Sequence, residues 1–257
     1  MYHLSFIAVL VSGLFALASS GQIVAREAAR PEAAGELLER FRASDVFYEQ
    51  HDVARALIAQ HERSVLPELV SYLRVEDRHV RANAALIFAG LGDPRGFDVL
   101  VSILSDRSDR PDAQGRVYVS EIRAEGAPTS PQRHLEQQIA TDRYYAAALL
   151  GELKDPRAIP ALIPLLEEPE VNFGAVGALE EIGGKQAMAA LIKRLSDRDP
   201  SIRVLAIRAL AHLHSHEAIP AIYRLLDDED RSHVDDLVSV GEAAREALVQ
   251  LGSDPGR

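Results

Sequence analysis

Apolar residues recur along most of the chain at intervals of three and four, which is the pattern of amphipathic helices. One such set consists of Ala146, Ala147, Leu150 and Leu153. A second set consists of Ile159, Leu162, Ile163 and Leu166. Between them lies Lys154-Asp155-Pro156, a polar turn that ends one helix and starts the next. The pattern therefore predicts a helix–turn–helix unit over Arg143–Leu166.

The same unit returns with a period of about 30 residues. Its register is marked by the last apolar residue of each second helix, and these anchors are Leu91, Leu153, Ile182, Leu213 and Leu251, with a weaker unit ending at Gln60. Thirteen residues after an anchor a leucine recurs, at Leu104, Leu166, Leu195 and Leu226. Repeats of this length bury their apolar faces against their neighbours. We expect an all-α fold, a right-handed α–α superhelix (solenoid) with one long insertion.

The stretch Arg143–Leu162, RYYAAALLGELKDPRAIPAL, resembles the short HEAT-like repeat of phycobilisome lyases and many bacterial proteins. The resemblance is strongest over Arg143–Leu166 and Ile202–Leu226 and covers about two thirds of the chain. It implies the HEAT-like solenoid. It does not select an activity, because the members that share this repeat include scaffolds, lyases and metal enzymes.

Three segments are predicted: a signal peptide (1–21), an N-terminal capping helix (22–44) and the repeat solenoid (45–257). The uncharged run Leu4–Ala18 precedes the small residues Ala18-Ser19-Ser20, which is typical of a secretory signal peptide. We therefore expect export from a bacterial cytoplasm to the periplasm or the extracellular space. A membrane anchor and an apolar helix packed on the solenoid are the alternatives.

The repeat pattern breaks at 106–140, where the predicted insertion lies. It begins with polar turn residues, contains a short strand-like stretch from Val117 to Ile122, and ends in a helix that starts at Pro131 and continues into Arg143–Leu153. Loops of this length are often functional. A binding arm and a tolerated surface insertion both stay open.

The composition of the chain excludes some kinds of site and disfavours some classes of partner. The formal net charge is −11 and there are no cysteines. The absence of cysteine excludes disulfides and thiolate zinc sites. The acidic balance argues against nucleic acid and against an anionic membrane surface as partners, since both attract basic faces.

One arginine position recurs ten residues before the anchors, at Arg81, Arg143 and Arg203. Asp77 and Asp199 lie four residues before two of them, a spacing that brings the pair onto one helix face or its cap. In the resembled repeats this arginine commonly pairs with acidic groups of adjacent units. We expect a structural Asp–Arg ladder. The alternative is a row of cations lining a groove for an anionic partner.

Aromatic residues suggest a binding face. Tyr144 and Phe173 share one repeat position on neighbouring second helices, which line the concave face of HEAT-like stacks. Exposed rings there would anchor a partner. Together with Tyr145, Arg208 and His212 they form the predicted partner-binding groove. The alternative is that the rings pack as ordinary core beneath the insertion.

Histidines could hold a metal, but their context disfavours it. His212, His214 and His216 occupy a helix end and the turn after it, where histidine also suits the negative end of the helix dipole. Deoxyhypusine hydroxylases, which share HEAT-like repeats, hold two irons with His-Glu at the starts of second helices. Here His61-Glu62 and His216-Glu217 both lie in turns before first helices. We predict no metal and no cofactor.

No serine-hydrolase, phosphate-loop, dinucleotide-binding or His-Glu-x-x-His motif occurs in the sequence. We therefore predict no catalytic residue and expect a protein-binding scaffold. A lyase or chaperone-type subunit acting on a tetrapyrrole-bearing protein is the first alternative. A nucleic-acid-binding HEAT-like protein is the second.

Overall fold

The computed structural model describes residues 32–108, 131–234 and 237–254. Within these residues all regular structure is helical, apart from an isolated bridge between Arg231 and Ser239. The predicted all-α fold class is therefore confirmed. None of the helices in these ranges is both long and apolar enough to cross a membrane. The predicted signal peptide (1–21) and the core of the insertion (109–130) lie outside the described residues.

The chain divides between Ala146 and Ala147 into two compact units. The α-helices that begin in the first unit are α1 (Ala34–Ala43), α2 (Phe47–Ala59), α3 (Leu66–Leu69), α4 (Arg78–Gly90), α5 (Pro94–Ser105) and α6 (Pro131–Glu152). Those of the second unit are α7 (Ile159–Leu162), α8 (Asn172–Ile182), α9 (Gly184–Arg194), α10 (Pro200–His212), α11 (Ile219–Tyr223) and α12 (Val240–Gln250). Helix α6 begins at Pro131 as the sequence predicted and runs through the division between the units.

Three of the first helices, α3, α7 and α11, are short and irregular and carry a proline in their first turn, whereas α5 and α9 are regular helices of 12 and 11 residues. Helix α7 is one turn of α-helix between 3₁₀ turns, with Pro160 in its first turn, and α11 has Pro220 at the same place. Proline lacks a backbone N–H, so it is tolerated only where no intrahelical hydrogen bond is needed. The second helices α4, α6, α8, α10 and α12 are regular as well.

Five of the six second helices end with the same hydrogen bond, from the N–H of the residue after the anchor to the carbonyl three residues earlier, whereas Gly183 after α8 donates to Leu179 and has ψ −161°. The residue after each anchor has a positive φ, and these residues are His61, Gly92, Lys154, Gly183, His214 and Gly252. At the end of α4 the N–H of Gly92 donates to Ala89 and the N–H of Asp93 to Phe88, which satisfies two carbonyls of the last turn. This left-handed cap recurs even in the weaker unit that ends at Gln60.

The core consists of leucine, isoleucine and alanine from facing helices. Leu100, Leu162, Leu191 and Ile222 share one repeat position and are fully buried. Three of the four leucines predicted to recur thirteen residues after the anchors are buried as well, namely Leu104, Leu166 and Leu195. Leu226 is only half-buried, because it lies in the turn that follows α11 rather than on a helix.

Candidate functional site

The recurring arginines form ion pairs in both units. The side chain of Arg81 lies 3.1 Å from Asp106, and that of Arg203 lies 3.1 Å from Asp228. Both carboxylates come 25 residues after their arginine, at the end of the next first helix. Arg203 also pairs with Asp230 at 2.6 Å. The arginine position is thus used to fix neighbouring segments to each other.

Asp77 and Asp199 lie at the helix caps, one of the two places that the spacing allowed. Asp77 accepts hydrogen bonds from the N–H groups of His79 and Val80, and Asp199 accepts one from Ser201. Both aspartates are therefore N-caps of α4 and α10, where a short carboxylate reaches the free N–H groups of the first turn. The ion pairs of Arg81 with Asp106 and of Arg203 with Asp228 join residues 25 positions apart.

Arg143, the third arginine of this position, is buried, with 3% of its surface exposed. Its Nε donates to the carbonyl of Leu104 at 2.6 Å. This bond connects α6 with the end of α5 within the first unit. Arg143 thus helps to hold together the two chain segments that precede and follow residues 109–130.

A larger polar cluster lies beside it, which we call the Arg78 cluster: Arg78, His79, Asp106 and Asp142. Arg78 donates from Nε and Nη2 to the two oxygens of Asp106, at 3.0 and 2.9 Å. Its Nη1 donates to Asp142 at 3.3 Å. Asp142 Oδ1 lies 3.2 Å from His79 Nδ1. Except for Asp106, these side chains are at most 3% exposed.

Mutual pairing sets the electrostatics of the Arg78 cluster. The hydrogen bond from Arg78 holds the pKa of the Asp106 carboxyl well below its usual range. The backbone N–H and the side-chain O–H of Ser108 also donate to this carboxyl and lower its pKa further. The same hydrogen bond raises the pKa of Arg78 above its ordinary value. The charged forms are therefore stabilised together, as expected for a buried cation that faces two carboxylates.

The position of the Arg78 cluster in the sequence indicates its role. Asp106 and Ser108 come just before residues 109–130, and Asp142 comes after them. Arg78 therefore binds chain segments on both sides of the insertion, while it is itself carried by α4. We interpret the Arg78 cluster as a structural clamp at the base of the insertion.

A group of half-exposed rings lies next to this clamp, which we call the aromatic patch: Phe47, Tyr48, His51 and Tyr145. The ring centroids of Phe47 and Tyr145 are 5.2 Å apart, and those of His51 and Tyr145 are 6.4 Å apart. Tyr48 lies 5.8 Å from Phe47 and is 39% exposed. The buried ring of His79 lies beneath, 4.9 Å from Phe47. The aromatic patch thus joins rings of α2 and α6.

Asn83 of α4 holds the aromatic patch in place. Its side-chain Nδ2 donates to the carbonyl of Phe47 at 2.8 Å, and its Oδ1 accepts a hydrogen bond from the hydroxyl of Tyr145 at 2.5 Å. Asn83 is fully buried. Three successive second helices, α2, α4 and α6, are therefore connected through one amide, which fixes the orientation of the Tyr145 ring.

The predicted groove residues separate into different environments. Tyr145 belongs to the aromatic patch, whereas Tyr144 is 8% exposed and burial raises the pKa of its hydroxyl to about 12. Phe173 is 9% exposed in the second unit. The rings of Tyr144 and Phe173 therefore lie in the core, not on an open face. Consecutive helical residues differ by about 100° in direction, and on α6 this difference places Tyr144 in the core and Tyr145 in the half-exposed aromatic patch.

The remaining groove residues lie in the second unit. His212 is exposed, and its Nδ1 lies 2.6 Å from Glu180 Oε1, which connects α10 with α8. Arg208, one turn earlier on α10, is half-buried. His214 has a positive φ and belongs to the turn after α10. In the part of the chain that the structure describes, no three His, Cys, Asp or Glu side chains come together as a metal site would require.

Most of the aromatic patch and the Arg78 cluster were not predicted from the sequence. Tyr145 was a predicted site residue, whereas Phe47, Tyr48 and His51 were not. The consecutive aromatic residues Phe47-Tyr48 of a second helix were a usable signal, because the second helix of another repeat carries the pair Tyr144-Tyr145 one turn closer to its end. No such signal existed for the pairing of Arg78 with Asp142, which depends on contacts across 64 residues.

A protein-family model described as HEAT repeats matches residues 34–117, 135–199 and 188–255, which together make up most of the chain. The chain belongs to the HEAT repeat family. This agrees with the resemblance seen in the sequence and with the paired helices of the structure.

The relatives of this HEAT-repeat protein are named for different activities. A phycocyanobilin lyase subunit alpha of Synechococcus elongatus is 35% identical over 97 residues, covering 34% of this chain and 36% of the relative. A subunit of the same name from a Nostoc species is 32% identical over 158 residues, covering 52% and 56%. A deoxyhypusine hydroxylase of Rattus norvegicus is 37% identical over 93 residues, covering 33% and 30%. The alignments span about half or less of each relative, so the likeness is one of repeats.

Proposed function

We propose that this HEAT-repeat protein is a non-enzymatic, protein-binding scaffold that contacts its partner through the aromatic patch. The observation that carries the proposal is the set of half-exposed rings on α2 and α6, fixed by the buried amide of Asn83. Tyrosine and phenylalanine supply a large contact area at a small cost in side-chain entropy, which is why aromatic residues are enriched among interface anchors.

Preorganisation supports the same proposal. A ring that is already held by its neighbours loses little conformational freedom when a partner binds. The Tyr145 hydroxyl is engaged by Asn83, and its ring is in edge contact with Phe47. The Arg78 cluster lies under these rings and ties α4 to both sides of the insertion. A rigid floor beneath half-exposed rings suits a binding site better than a catalytic one.

The second unit adds a further part to the proposal. His212 and Glu180 form an exposed pair on α10 and α8, with Arg208 nearby on α10. We assign these groups to polar contacts that the second unit makes by itself with a partner. A protein is favoured over a nucleic acid, because the net charge of −11 repels a polyphosphate.

The proposal is tested by affinity capture with the full chain from cells of the source bacterium. The paired variants are Tyr48→Ala, in the aromatic patch, and Tyr72→Ala, a half-buried tyrosine that contacts Phe41 elsewhere in the first unit. We expect a partner that the wild type and Tyr72→Ala recover equally and that Tyr48→Ala recovers poorly. Equal recovery by all three would show that the aromatic patch is not the binding site.

A second capture tests the insertion. A chain that lacks Asp109–Thr129 keeps Asp106 and Asp142, which are the partners of Arg78. If the insertion is a binding arm, this deletion weakens capture although the aromatic patch is intact. Equal recovery would assign the insertion no binding role.

The names of the relatives favour one other function, that of a lyase or chaperone-type subunit acting on a tetrapyrrole-bearing protein. Two of the relatives are named phycocyanobilin lyase subunits, and the alignments cover the repeats of this chain. The test is to add phycocyanobilin to the purified chain and to record the visible spectrum. A saturable shift of the absorption bands would favour this function over the scaffold, and an unchanged spectrum would exclude it.

Export is a further part of the proposal and rests on the apolar run Leu4–Ala18 with the small residues that follow. Export is tested by expressing the full chain in a bacterium and extracting the periplasm and the cytoplasm separately. The exported protein should have a mass that corresponds to cleavage near Gly21. Recovery of the uncleaved chain from the cytoplasm would contradict it.

A further inference from the structure

The start of α2 carries an unusual concentration of negative charge beside the aromatic patch. Asp45, Glu49 and Asp52 are exposed, and the stretch 45–52, which supplies three of the four rings, contains no lysine or arginine. The nearest arginine on this helix is Arg55, one turn after the last ring of the stretch. The rings of the aromatic patch are therefore flanked by carboxylates.

The layer beneath the rings does not offset this charge. The guanidinium groups of Arg78 and Arg81 are matched by the carboxylates of Asp106 and Asp142. Two cations facing two anions within a few ångströms leave little net field at the rings above. The exposed carboxylates of Glu49 and Asp52 lie on the same helix as three of the four rings.

The rings meet at steep angles. The planes of Phe47 and Tyr145 are inclined at 80°, and those of Phe47 and Tyr48 at 77°. In such a contact the edge of one ring meets the face of the other, and Tyr48, which is 39% exposed, keeps part of its surface open to solvent. The face of an aromatic ring is its negative region, and it attracts lysine and arginine side chains within about 6 Å.

We infer that the aromatic patch accepts a lysine or arginine side chain from a basic segment of the partner protein. The methylene stem of such a side chain would lie against the rings, and its charged head would meet the carboxylates of Glu49 or Asp52. An apolar partner would use the rings but gain nothing from these carboxylates, and an acidic partner would be repelled. This inference rests on the proposed function and narrows it to basic partners.

The test uses three short peptides that share a Gly-Ser background and differ at a few positions, which hold lysine, norleucine or glutamate. Norleucine keeps the methylene stem of lysine without the charge. Each peptide is titrated into the full chain by calorimetry. We expect the lysine peptide to bind and the other two to bind at least about tenfold more weakly, the difference that 1.4 kcal/mol would give.

Variants locate the site of binding. Tyr48→Ala should lower the affinity for the lysine peptide by about two- to thirtyfold, the range that one cation–π contact gives. Tyr72→Ala should leave this affinity unchanged. Tyr48→Phe keeps the ring and should keep the affinity. Asp52→Asn changes an exposed carboxylate without touching a ring, so it gives a test that does not depend on whether Tyr48→Ala folds. Asp52→Asn should also lower the affinity for the lysine peptide.

Failure of this inference can be told apart from failure of the proposed function. Equal binding of the lysine and norleucine peptides would overturn the cation site and leave a protein-binding aromatic patch. Binding of the glutamate peptide, or no binding of the lysine peptide, would overturn the inference as well. Lysine binding that neither Tyr48→Ala nor Asp52→Asn weakens would place the site elsewhere. The proposed function itself fails if captured partners are indifferent to Tyr48→Ala.

Discussion

Arg78 donates a hydrogen bond to Asp142 at 3.3 Å, although 64 residues separate them in the sequence. The two residues lie on opposite sides of the insertion, and the same guanidinium also holds Asp106 immediately before it. One buried cation on α4 therefore closes the base of a segment that interrupts the repeat. A solenoid can tolerate an insertion between the helices of one repeat when the two ends are fixed in this way, because the neighbouring repeats then keep their register.

The first prediction concerns this clamp. Arg78→Leu should destabilise the chain by roughly 3–5 kcal/mol, because it leaves the carboxylate of Asp142 buried without its cation. Chemical denaturation followed by circular dichroism measures the change. Arg95→Leu is the control, since Arg95 is exposed, forms its ion pair with Asp93 two residues earlier and lies over the ring of Phe88, and it should alter stability by about 1 kcal/mol or less. A loss for Arg78→Leu no larger than that of the control would contradict the clamp.

The second prediction concerns pH. The folded pKa of Asp106 is depressed by its hydrogen bond from Arg78, so the ionised form is favoured in the folded state. The stability that this gives is present above the unfolded pKa of about 4 and is lost as pH falls toward the lower folded pKa. Asp106→Asn should therefore be less stable than wild type at pH 7, and the difference should shrink between about pH 5 and pH 3.

Urea unfolding at several pH values measures this difference. The free energies of unfolding of Asp106→Asn and wild type could differ by the same amount down to acid pH. The lost stability would then come from packing rather than from the charge of Asp106. A difference that widens in acid would contradict the sign of the pKa shift.

The third prediction concerns the left-handed residue that ends each second helix. His214 has φ 51°, a conformation that strains a residue with a Cβ, whereas Gly92 fills the same position in another repeat with φ 80°. His214→Gly should therefore stabilise the chain by roughly 0.5–1 kcal/mol, and Gly92→Ala should destabilise it by about 1–2 kcal/mol. Thermal unfolding of both variants measures the two effects. Shifts of the same sign would show that the cap is not under this steric control.

The fourth prediction concerns the repeated core. Leu162 is fully buried on α7 at the repeat position shared with Leu100 and Leu191. Leu162→Ala should cost roughly 2–5 kcal/mol, the range for a buried leucine. Val249→Ala is the control, because Val249 is 63% exposed on α12 and its truncation removes no core contact. Equal effects of the two substitutions would mean that the periodic leucines do not hold the repeats together.

Periodicity predicted the helices and their ends well, since both are local properties. The leucine spacing gave the register, and the residue after each anchor has a positive φ in every repeat, including the repeat that ends at Gln60. The sequence suggested that the arginines pair with acidic groups of adjacent units, but it did not say which ones. The partner of Arg81 is Asp106, 25 residues away, and local spacing does not select a residue at that distance.

The aromatic residues show a second limit of sequence reasoning. Tyr144 and Tyr145 are neighbours on α6, and a difference of about 100° in direction buries one and half-exposes the other. The apolar pattern around them does not fix the helix phase well enough to choose between them. The contacts of Tyr145 with Phe47 and Asn83 join three helices. Such a site becomes visible only when the packing of the repeats is known.

The fifth prediction compares two helical glycines. A Cβ on Gly96 of α5 would lie 2.2 Å from the carbonyl oxygen of Ala85 and 2.4 Å from the backbone N of Ala89, so α4 and α5 approach too closely for a larger residue. Backbone atoms cannot move aside as a side chain can, and Gly96→Ala should destabilise by about 1–3 kcal/mol or more. A Cβ on Gly177 of α8 meets nothing within 4 Å. Gly177→Ala should therefore stabilise the chain by roughly 0.5–1 kcal/mol, because alanine favours the helix.

The two substitutions are chemically identical, so propensity alone predicts the same sign for both. Thermal or chemical unfolding of the pair separates propensity from packing. A stabilising Gly96→Ala would mean that α4 and α5 are further apart than the structure places them. The Arg78 cluster would then be affected as well, because α4 carries Arg78 and α5 leads directly into Asp106. Opposite signs would instead support the close helix contact on which the clamp depends.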